Sequence, residues 1–213
     1  MQRIAPIGWP PTPQGVPPEP WAFTASDIEI YDDVLDAKSQ ARLFEFLSGP
    51  GWAFGAYSDS AAGASRYWYK HFAGYFGNSQ ERGDAKAFEV QLESNAPLIA
   101  AMWARIRRSL LTEHELSRCY ANAYPYGSEG GLHMDSNVRS HFTSIYYPSP
   151  TWSPNFAGET IFFNKDGSDV LKAVYPKPNR LVVFPGVIPH VARGVSRSFT
   201  GLRITLMFKT SKG

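Results

Sequence analysis

His133 and Asp135 stand two positions apart, and both carry side chains of the kind that bind metal ions. Residues two apart on a β-strand point to the same face, so one strand end would present an imidazole and a carboxylate to a single ion. A third ligand must come from elsewhere in the chain. His190 is the candidate, because it follows the apolar run 181–184 and a Pro-Gly turn, which would place it at the mouth of a sheet. The pattern predicts a metal site of two histidines and one carboxylate.

Such a ligand set leaves three coordination positions of the ion open, as in non-haem Fe(II) oxygenases. Two other features accompany it. Gly158-Glu159-Thr160 precedes an apolar strand between the two histidines, and Arg203 lies in a strand-like segment thirteen residues after His190. An arginine inside a sheet needs an anionic partner, because an unpaired buried guanidinium is costly. A cosubstrate with a carboxylate group would be such a partner.

The composition is that of a folded protein of one domain. The chain has 213 residues, of which 43% are hydrophobic and 19% charged, so disorder of the whole chain is excluded. Lys and Arg number 21 against 19 Asp and Glu, a balance too even to indicate nucleic acid or an acidic membrane surface as a partner. Cys119 is the only cysteine, which excludes an intrachain disulfide framework and a thiolate zinc cluster. Because neither a long apolar run nor a signal-peptide pattern occurs, we expect a cytoplasmic protein with no membrane partner.

Proline dominates the start of the chain, where seven of the first twenty residues are prolines. Such a segment cannot donate enough backbone hydrogen bonds for a helix or a central strand. We therefore predict an extended arm over residues 1–24, with a ligand for a proline-binding domain as the alternative. Residues 25–213 are predicted to form a single domain.

The elements that must position the ligands can be read from the periodicity. Alternating polar and apolar residues at 27–32 predict a short strand, and Asp36 follows as the cap of a first helix. A second helix should begin near Pro97, capped by Ser94 or Asn95. The second half of the chain alternates short β-branched and aromatic segments with turn residues. Helices followed by many short strands predict an α+β, mainly β fold, with the strands in a sandwich or a double-sheet barrel.

The stretch 52–83 is rich in aromatic residues and glycine but has no clean period. Tyr67, Trp68 and Tyr69 are consecutive in it. One interpretation is a core strand with loops, and the other is an aromatic lid whose side chains contact a substrate. The sequence favours the two equally.

Taken as a set, the motifs quoted above resemble those of the Fe(II)- and 2-oxoglutarate-dependent dioxygenases, specifically the prolyl 4-hydroxylase-like branch. The resemblance covers roughly residues 115–210 and rests on His133, Asp135, Gly158-Glu159-Thr160, His190 and Arg203. It implies a double-stranded β-helix, or jelly roll, with the N-terminal helices packed on the larger sheet.

The resemblance also implies roles for individual residues. His133, Asp135 and His190 would bind Fe(II), and Arg203 would pair with the distal carboxylate of the cosubstrate 2-oxoglutarate, with O₂ as the oxidant. The relatives place this basic residue closer to the second histidine, which makes Arg197 a competitor. The strand pattern favours Arg203.

Strand alternation adds residues that the resemblance places around the cosubstrate. Thr143 and Tyr147 share one face of a predicted strand, which the relatives direct toward 2-oxoglutarate. Tyr124 and Thr160 would line the same pocket. His141 has the parity of Thr143 and could contact the substrate.

The implied activity is oxidation of a C–H bond coupled to decarboxylation of 2-oxoglutarate. Related halogenases carry a small residue in place of Asp135, so its presence argues for hydroxylation, or for desaturation or epoxidation. An aromatic enclosure favours a small molecule, such as an amino acid or a natural-product intermediate. The sequence leaves the oligomeric state open.

Three alternatives remain. A prolyl hydroxylase acting on a peptide or protein is the first. A nucleic-acid dealkylating dioxygenase would carry a second arginine six residues after the first, where Lys209 stands, and the nearly neutral charge gives no phosphate footprint. A non-catalytic jelly-roll binding protein would need a broken ligand set, and none of the three ligands is missing.

Overall fold

The computed structural model of the chain describes residues 23–58, 65–74 and 84–212. The described part contains three α-helices and ten strands, with short 3-10 turns at Ala25–Asp27 and Pro154–Phe156. The helices are α1 (Ala37–Ser48), α2 (Ala85–Asn95) and α3 (Pro97–Ser109). The strands are β1 (Glu29–Tyr31), β2 (Ala53–Ala56), β3 (Tyr67–Gly74), β4 (His114–Tyr124), β5 (His141–Tyr147), β6 (Thr160–Phe163), β7 (Val170–Val174), β8 (Arg180–Pro185), β9 (His190–Ala192) and β10 (Arg203–Lys212).

The strands form two antiparallel sheets. The large sheet has seven strands in the order β1-β8-β5-β10-β4-β3-β2, and the small sheet has three in the order β7-β6-β9. An isolated bridge between His133 and His190 adds one more segment beside β9. The predicted mainly β fold is confirmed.

The large sheet has two buried faces, because successive residues of a strand point to opposite sides. On β10, Ile204, Leu206 and Phe208 join a core that also contains residues of α1, α2 and α3. We call this the helix face. Met207, which lies between Leu206 and Phe208, points to the other side and joins a second core that includes residues of β6 and β7 in the small sheet. We call the side that bears Met207 the inner face, since it lies between the two sheets.

The first predicted strand and helix occur as expected. β1 pairs with β8, and the Asp36 carboxylate accepts a hydrogen bond from the Ser39 backbone N–H at 2.9 Å, which caps α1. Leu43 and Leu47 are the buried residues of α1. Their side chains pack into the apolar core on the helix face of the large sheet.

The predicted cap of the second helix is wrong. Ser94 and Asn95 lie in the last turn of α2, a helix that the sequence reading did not identify, and α3 begins at Pro97 without a side-chain cap. The Asn95 amide instead donates to the Phe72 carbonyl at 2.8 Å. The Asn95 side chain therefore links α2 to β3 and does not cap α3.

The aromatic stretch contributes two strands to the large sheet. β2 and β3 pair with each other, and β3 continues onto β4. For residues 53–56 and 67–74 the structure therefore agrees with the interpretation of a core strand with loops. The rest of the stretch includes segments 59–64 and 75–83, which lie outside the described residues, as do residues 1–22 of the predicted arm. None of the described helices is long and apolar enough to cross a membrane.

Candidate metal centre

The three predicted metal ligands meet at one point between the sheets. The backbones of His133 and His190 exchange two hydrogen bonds, of 3.1 and 2.9 Å, so the two imidazoles are cross-strand neighbours. Nε2 of His133 lies 3.4 Å from Oδ1 of Asp135, and Nε2 of His190 lies 3.3 Å from Oδ2. Ligands about 2.1 Å from a common ion, at right angles to each other, would be about 3 Å apart. The spacing therefore suits a first-row metal ion.

Both imidazoles present the nitrogen that a metal needs. Nδ1 of His133 lies 2.8 Å from the Gly131 carbonyl oxygen, and Nδ1 of His190 lies 2.9 Å from that of Ile188. A carbonyl only accepts hydrogen bonds, so each Nδ1 carries the proton and each Nε2 has a free lone pair directed at the centre. Burial lowers the pKa of His190, which keeps its ring neutral at neutral pH.

Asp135 is held from three directions. Its backbone N–H donates to the Gly186 carbonyl at 2.8 Å, which fixes the loop that follows His133. The Thr143 hydroxyl donates to Oδ2 at 2.6 Å, and the Lys209 ammonium contacts the same oxygen. Burial by itself would raise the pKa of the Asp135 carboxyl, but the adjacent Lys209 ammonium holds it well below its usual value. The group is therefore ionised, as a carboxyl group that binds a metal ion must be.

A buried guanidinium lies on the inner face of the same strand that carries Lys209. Arg203 is only 1% exposed. Its Nε donates to the Gly158 carbonyl at 2.6 Å, and Nη2 donates to the Thr160 hydroxyl at 3.1 Å. Nη1 is buried and has no hydrogen-bond partner among the described residues. An orphaned cationic donor of this kind fits the carboxylate of a bound ligand.

Two tyrosines enclose this guanidinium. The rings of Tyr124 and Tyr147 lie with their centroids 5.6 and 5.7 Å from its central carbon. The Tyr147 hydroxyl is hydrogen-bonded to Thr160 at 2.8 Å, and the same threonine accepts from Arg203. The structure thus brings four of the five predicted cosubstrate residues together. The fifth, Thr143, lies at the metal centre on Asp135.

Gly158 is needed where it stands. Its φ is +83°, in the left-handed region that L residues rarely adopt, and a Cβ there would lie 3.1 Å from Cδ of Arg203 and 3.2 Å from Nε. Only glycine lets the backbone come close enough for the Gly158 carbonyl to accept from Nε. The sequence signal for this contact was the Gly158-Glu159-Thr160 motif itself.

Arg197, the competing arginine, is exposed, in contrast to Arg203. The segment 193–201 folds back on the loop before β6 instead. The ring of Phe199 packs against Trp152 and Phe156, at centroid distances of 4.7 and 4.9 Å. Trp152 in turn covers Gly158, with Cζ2 3.2 Å from the position of a Cβ. The extra segment therefore closes the wall behind Arg203.

The four predicted substrate residues are divided between two faces. Tyr67 is buried, its ring lies 4.5 Å from that of Tyr124, and Tyr69 pairs with Asn122, so both belong to the inner face. Trp68 belongs to the opposite face, where its ring contacts Phe54 at 5.2 Å. The grouping of Trp68 with Tyr67 and Tyr69 is therefore corrected, because neighbouring residues of a strand cannot line one pocket wall.

His141 begins β5, two residues before Thr143, and its Nδ1 is 2.9 Å from the Ser136 hydroxyl. It lies beside the loop that carries Asp135. The sequence reading missed Lys209 as a neighbour of the metal ligands. The available signal was its spacing, since Lys209 is six residues after Arg203 and an even spacing on one strand means the same face.

No protein-family model matches the sequence, and no curated protein matches it. Solved structures do resemble the fold. An oxidoreductase of the 2OG-Fe(II) oxygenase family from Burkholderia pseudomallei is 16% identical with a TM-score of 0.61, over 88% of this chain and 86% of that one. A prolyl-4-hydroxylase from Pseudomonas putida is 17% identical with a TM-score of 0.55, over 88% and 93%.

HygX from Streptomyces hygroscopicus, solved with nickel, 2-oxoglutarate and hygromycin B bound, is 11% identical with a TM-score of 0.58. That similarity covers 87% of this chain and 83% of HygX. The predicted resemblance is thus confirmed for the fold, which extends well beyond the segment 115–210 that carried the motifs.

Proposed function

We propose that this chain is an Fe(II)- and 2-oxoglutarate-dependent dioxygenase that hydroxylates a C–H bond of a small molecule. The observation that carries the proposal is Nη1 of Arg203, which has no hydrogen-bond partner within the described part of the chain. It is buried on the inner face that also holds the His133, Asp135 and His190 cluster. A metal site alone would fit many functions. A metal site with a buried cationic donor on the same face fits a cosubstrate that bears a carboxylate.

The residues present fit both Fe(II) and 2-oxoglutarate. Two imidazoles and one carboxylate are the ligand set preferred by non-haem Fe(II) in oxygenases, and the only cysteine, Cys119, is fully buried on the helix face. When bound, Fe(II) and 2-oxoglutarate together reduce O₂, so that one oxygen atom enters the substrate C–H bond and the other enters succinate as CO₂ is released.

The chain's own residues would bind and orient 2-oxoglutarate. Arg203 would donate from Nη1 to the distal carboxylate, and its other nitrogens are fixed by Gly158 and Thr160. The hydroxyls of Tyr147 and Thr160 are hydrogen-bonded to each other and lie beside the guanidinium. The rings of Tyr124 and Tyr147 exclude water from the ion pair, which strengthens it.

The proposed double-stranded β-helix arrangement gives these residues a rigid support. Arg203 and Lys209 come from one strand, Thr143 and Tyr147 from its neighbour, and Thr160 from the small sheet. Sites on paired strands are held more precisely than sites on loops.

The proposed substrate is a small molecule that enters beside Tyr67 and Tyr69 on the inner face. HygX, a relative in fold, was solved with hygromycin B bound. The alternative is a prolyl residue of a peptide, and it is supported by the similar fold of the Pseudomonas prolyl-4-hydroxylase.

Iron binding tests the proposal first. Anaerobic protein with Fe(II) and 2-oxoglutarate should show a weak visible charge-transfer band, and His133→Ala and His190→Ala should each abolish it. His114→Ala is the matched control, because the His114 imidazole is bonded to Thr210, outside the ligand cluster. Full iron binding in both ligand variants would overturn the assignment.

A turnover screen then separates the two substrate classes. Succinate release is measured with a library of amino acids and other metabolites, and in parallel with proline-containing peptides. Substrate-dependent succinate with the metabolites alone supports the proposed function. Release with the peptides alone supports the prolyl alternative.

A further inference from the structure

We propose that Lys209 is a positioning residue of the metal site, which holds one oxygen of the Asp135 carboxylate and leaves the other oxygen for the ion. This inference rests on the proposed function, because it concerns the ion that His133, Asp135 and His190 would bind.

Lys209 reaches Asp135 through the register of the large sheet. It pairs directly with Thr143 across the β5–β10 ladder, so the two side chains stand next to each other on the inner face. The Lys209 ammonium donates to the Thr143 hydroxyl at 2.9 Å, and that hydroxyl donates to Oδ2 of Asp135 at 2.6 Å. The ammonium also contacts Oδ2 itself. The three groups form a closed triangle on one carboxylate oxygen.

The second carboxylate oxygen is treated differently. Each oxygen has one imidazole nearby, His133 at 3.4 Å from Oδ1 and His190 at 3.3 Å from Oδ2. Within the described residues, however, the Thr143 hydroxyl and the Lys209 ammonium both contact Oδ2. A carboxylate can turn about its Cβ–Cγ bond and bind an ion through one oxygen or both. Two donors fixed on Oδ2 would restrict that rotation, so that Oδ1 would be the oxygen available to the ion.

Burial indicates why this lysine is tied to Asp135. The side chains of Lys209 and Asp135 are only 15% and 10% exposed. An ammonium so far from water needs an anionic partner, and Asp135 is the only acidic side chain with which it forms an ion pair within the described part of the chain. Lys212, three residues further along β10, instead pairs with Glu113 at the surface.

Simple electrostatics and the positioning role predict opposite changes in metal affinity when Lys209 is replaced by an uncharged residue. Removal of a positive charge beside the site would strengthen the binding of a cation, because one repulsion is lost. Loss of the group that orients Asp135 would weaken it, since partners of metal ligands typically contribute 10- to 100-fold in affinity. We expect the orientation effect to be the larger.

The test is a calorimetric titration of Ni(II) into the whole 213-residue chain without 2-oxoglutarate. Lys209→Met should weaken Ni(II) binding by about 10-fold or more. Lys209→Arg should bind within a few-fold of wild type, because a guanidinium can donate to the same oxygen. Lys212→Met is the matched control, since it removes the same charge from the same strand at a surface ion pair, and it should bind as wild type does.

Thr143→Val provides an independent variant that breaks the triangle without a change of charge. It should weaken Ni(II) binding in the same direction, by a smaller factor than Lys209→Met. A purely structural role for the lysine would lower the unfolding midpoint of Lys209→Met and leave the Ni(II) affinity of the folded protein unchanged. Equal or tighter Ni(II) binding by folded Lys209→Met overturns the inference.

Failure of the proposed function would look different. In that case the wild-type protein would bind no Ni(II), or the His133→Ala variant would bind Ni(II) as tightly as the wild type does. The charge-transfer band with Fe(II) and 2-oxoglutarate is the second readout. It should move in Lys209→Met and stay at the wild-type position in Lys212→Met.

Discussion

The two faces of strand β10 differ in chemistry, although the same ten residues build both. On the helix face Ile204, Leu206 and Phe208 pack against helix residues, and the ring of Phe208 lies 5.5 Å from that of Trp103. On the inner face Arg203 and Lys209 lie among hydroxyls, carbonyls and a carboxylate.

Burial does not distinguish the two faces. Arg203 is 1% exposed and Phe208 is 0% exposed, so both side chains have left water almost completely. The two side chains differ in the chemistry of the groups that surround them. Phe208 meets apolar side chains, whereas Arg203 finds partners for Nε and Nη2 and none, among the described residues, for Nη1. An incompletely paired buried donor is the better indicator of a ligand site.

A second lysine sharpens the comparison. Lys70 on β3 is also buried, but it faces the helix side, where its ammonium donates to the carbonyls of Leu47 and Gly49 at 2.9 and 2.7 Å. These carbonyls end helix α1, so the positive charge stabilises a helix C-terminus. The ring of Trp52 covers the same ammonium at 4.7 Å. A charge on the helix face serves the fold, whereas the charge of Lys209 is paired with a predicted metal ligand.

The largest expected effect is on the helix face. Phe208→Ala should lower the free energy of unfolding by about 3–5 kcal/mol, because a fully buried ring is replaced by a cavity. Urea denaturation measures the change. The folded variant should bind 2-oxoglutarate with wild-type affinity. Weakened cosubstrate binding in the folded protein would show that the two faces are not independent.

On the inner face, Arg203→Ala should weaken 2-oxoglutarate binding by about two orders of magnitude, because truncation of one partner leaves a buried carboxylate unpaired, at a cost of about 2–5 kcal/mol. Metal binding should survive. A titration of 2-oxoglutarate into the metal-loaded protein measures the change. Arg197→Ala, which removes an exposed arginine, is the control, and a greater loss with that variant would reverse the assignment of the two arginines.

The smallest effect is expected at the sheet edge, on neither face. Asp32 pairs with Arg180 and Lys177, at 2.7 and 2.9 Å, and these partners lower its pKa from 3.8 to about 2. A lowered pKa means that the stabilisation is complete above pH 3.8 and is lost as the pH falls toward 2.

Asp32→Asn should therefore cost about 1 kcal/mol or less at pH 7, since the pair is partly exposed. The difference in unfolding free energy between wild type and variant should shrink steadily between pH 4 and pH 2. Parallel urea denaturation curves across this range measure it. A difference that is the same at pH 2 as at pH 7 would mean that Asp32 stabilises the fold by its shape and not by its charge.

Much of the candidate site could be predicted from local sequence. The spacing of His133 and Asp135 and the parity of Thr143 with Tyr147 depend only on the two-residue repeat of a strand. The cap at Asp36 depends on one turn of helix. These signals lie within a few residues of chain, so a single sequence contains them.

The sequence by itself determined which residue types could bind a metal and a carboxylate, and on which side of their own strands they stand. Tertiary structure decided which strands pair and in what register, because those contacts join residues far apart in the chain. Irregular strands are the clearest case. The register of β3 shifts between His71 and Ala73, and that of β2 between Phe54 and Ala56, and neither shift is visible in the pattern of the residues themselves. Lys209 meets Asp135 only because β10 lies beside β5, where Thr143 joins them, and no local pattern contains that pairing.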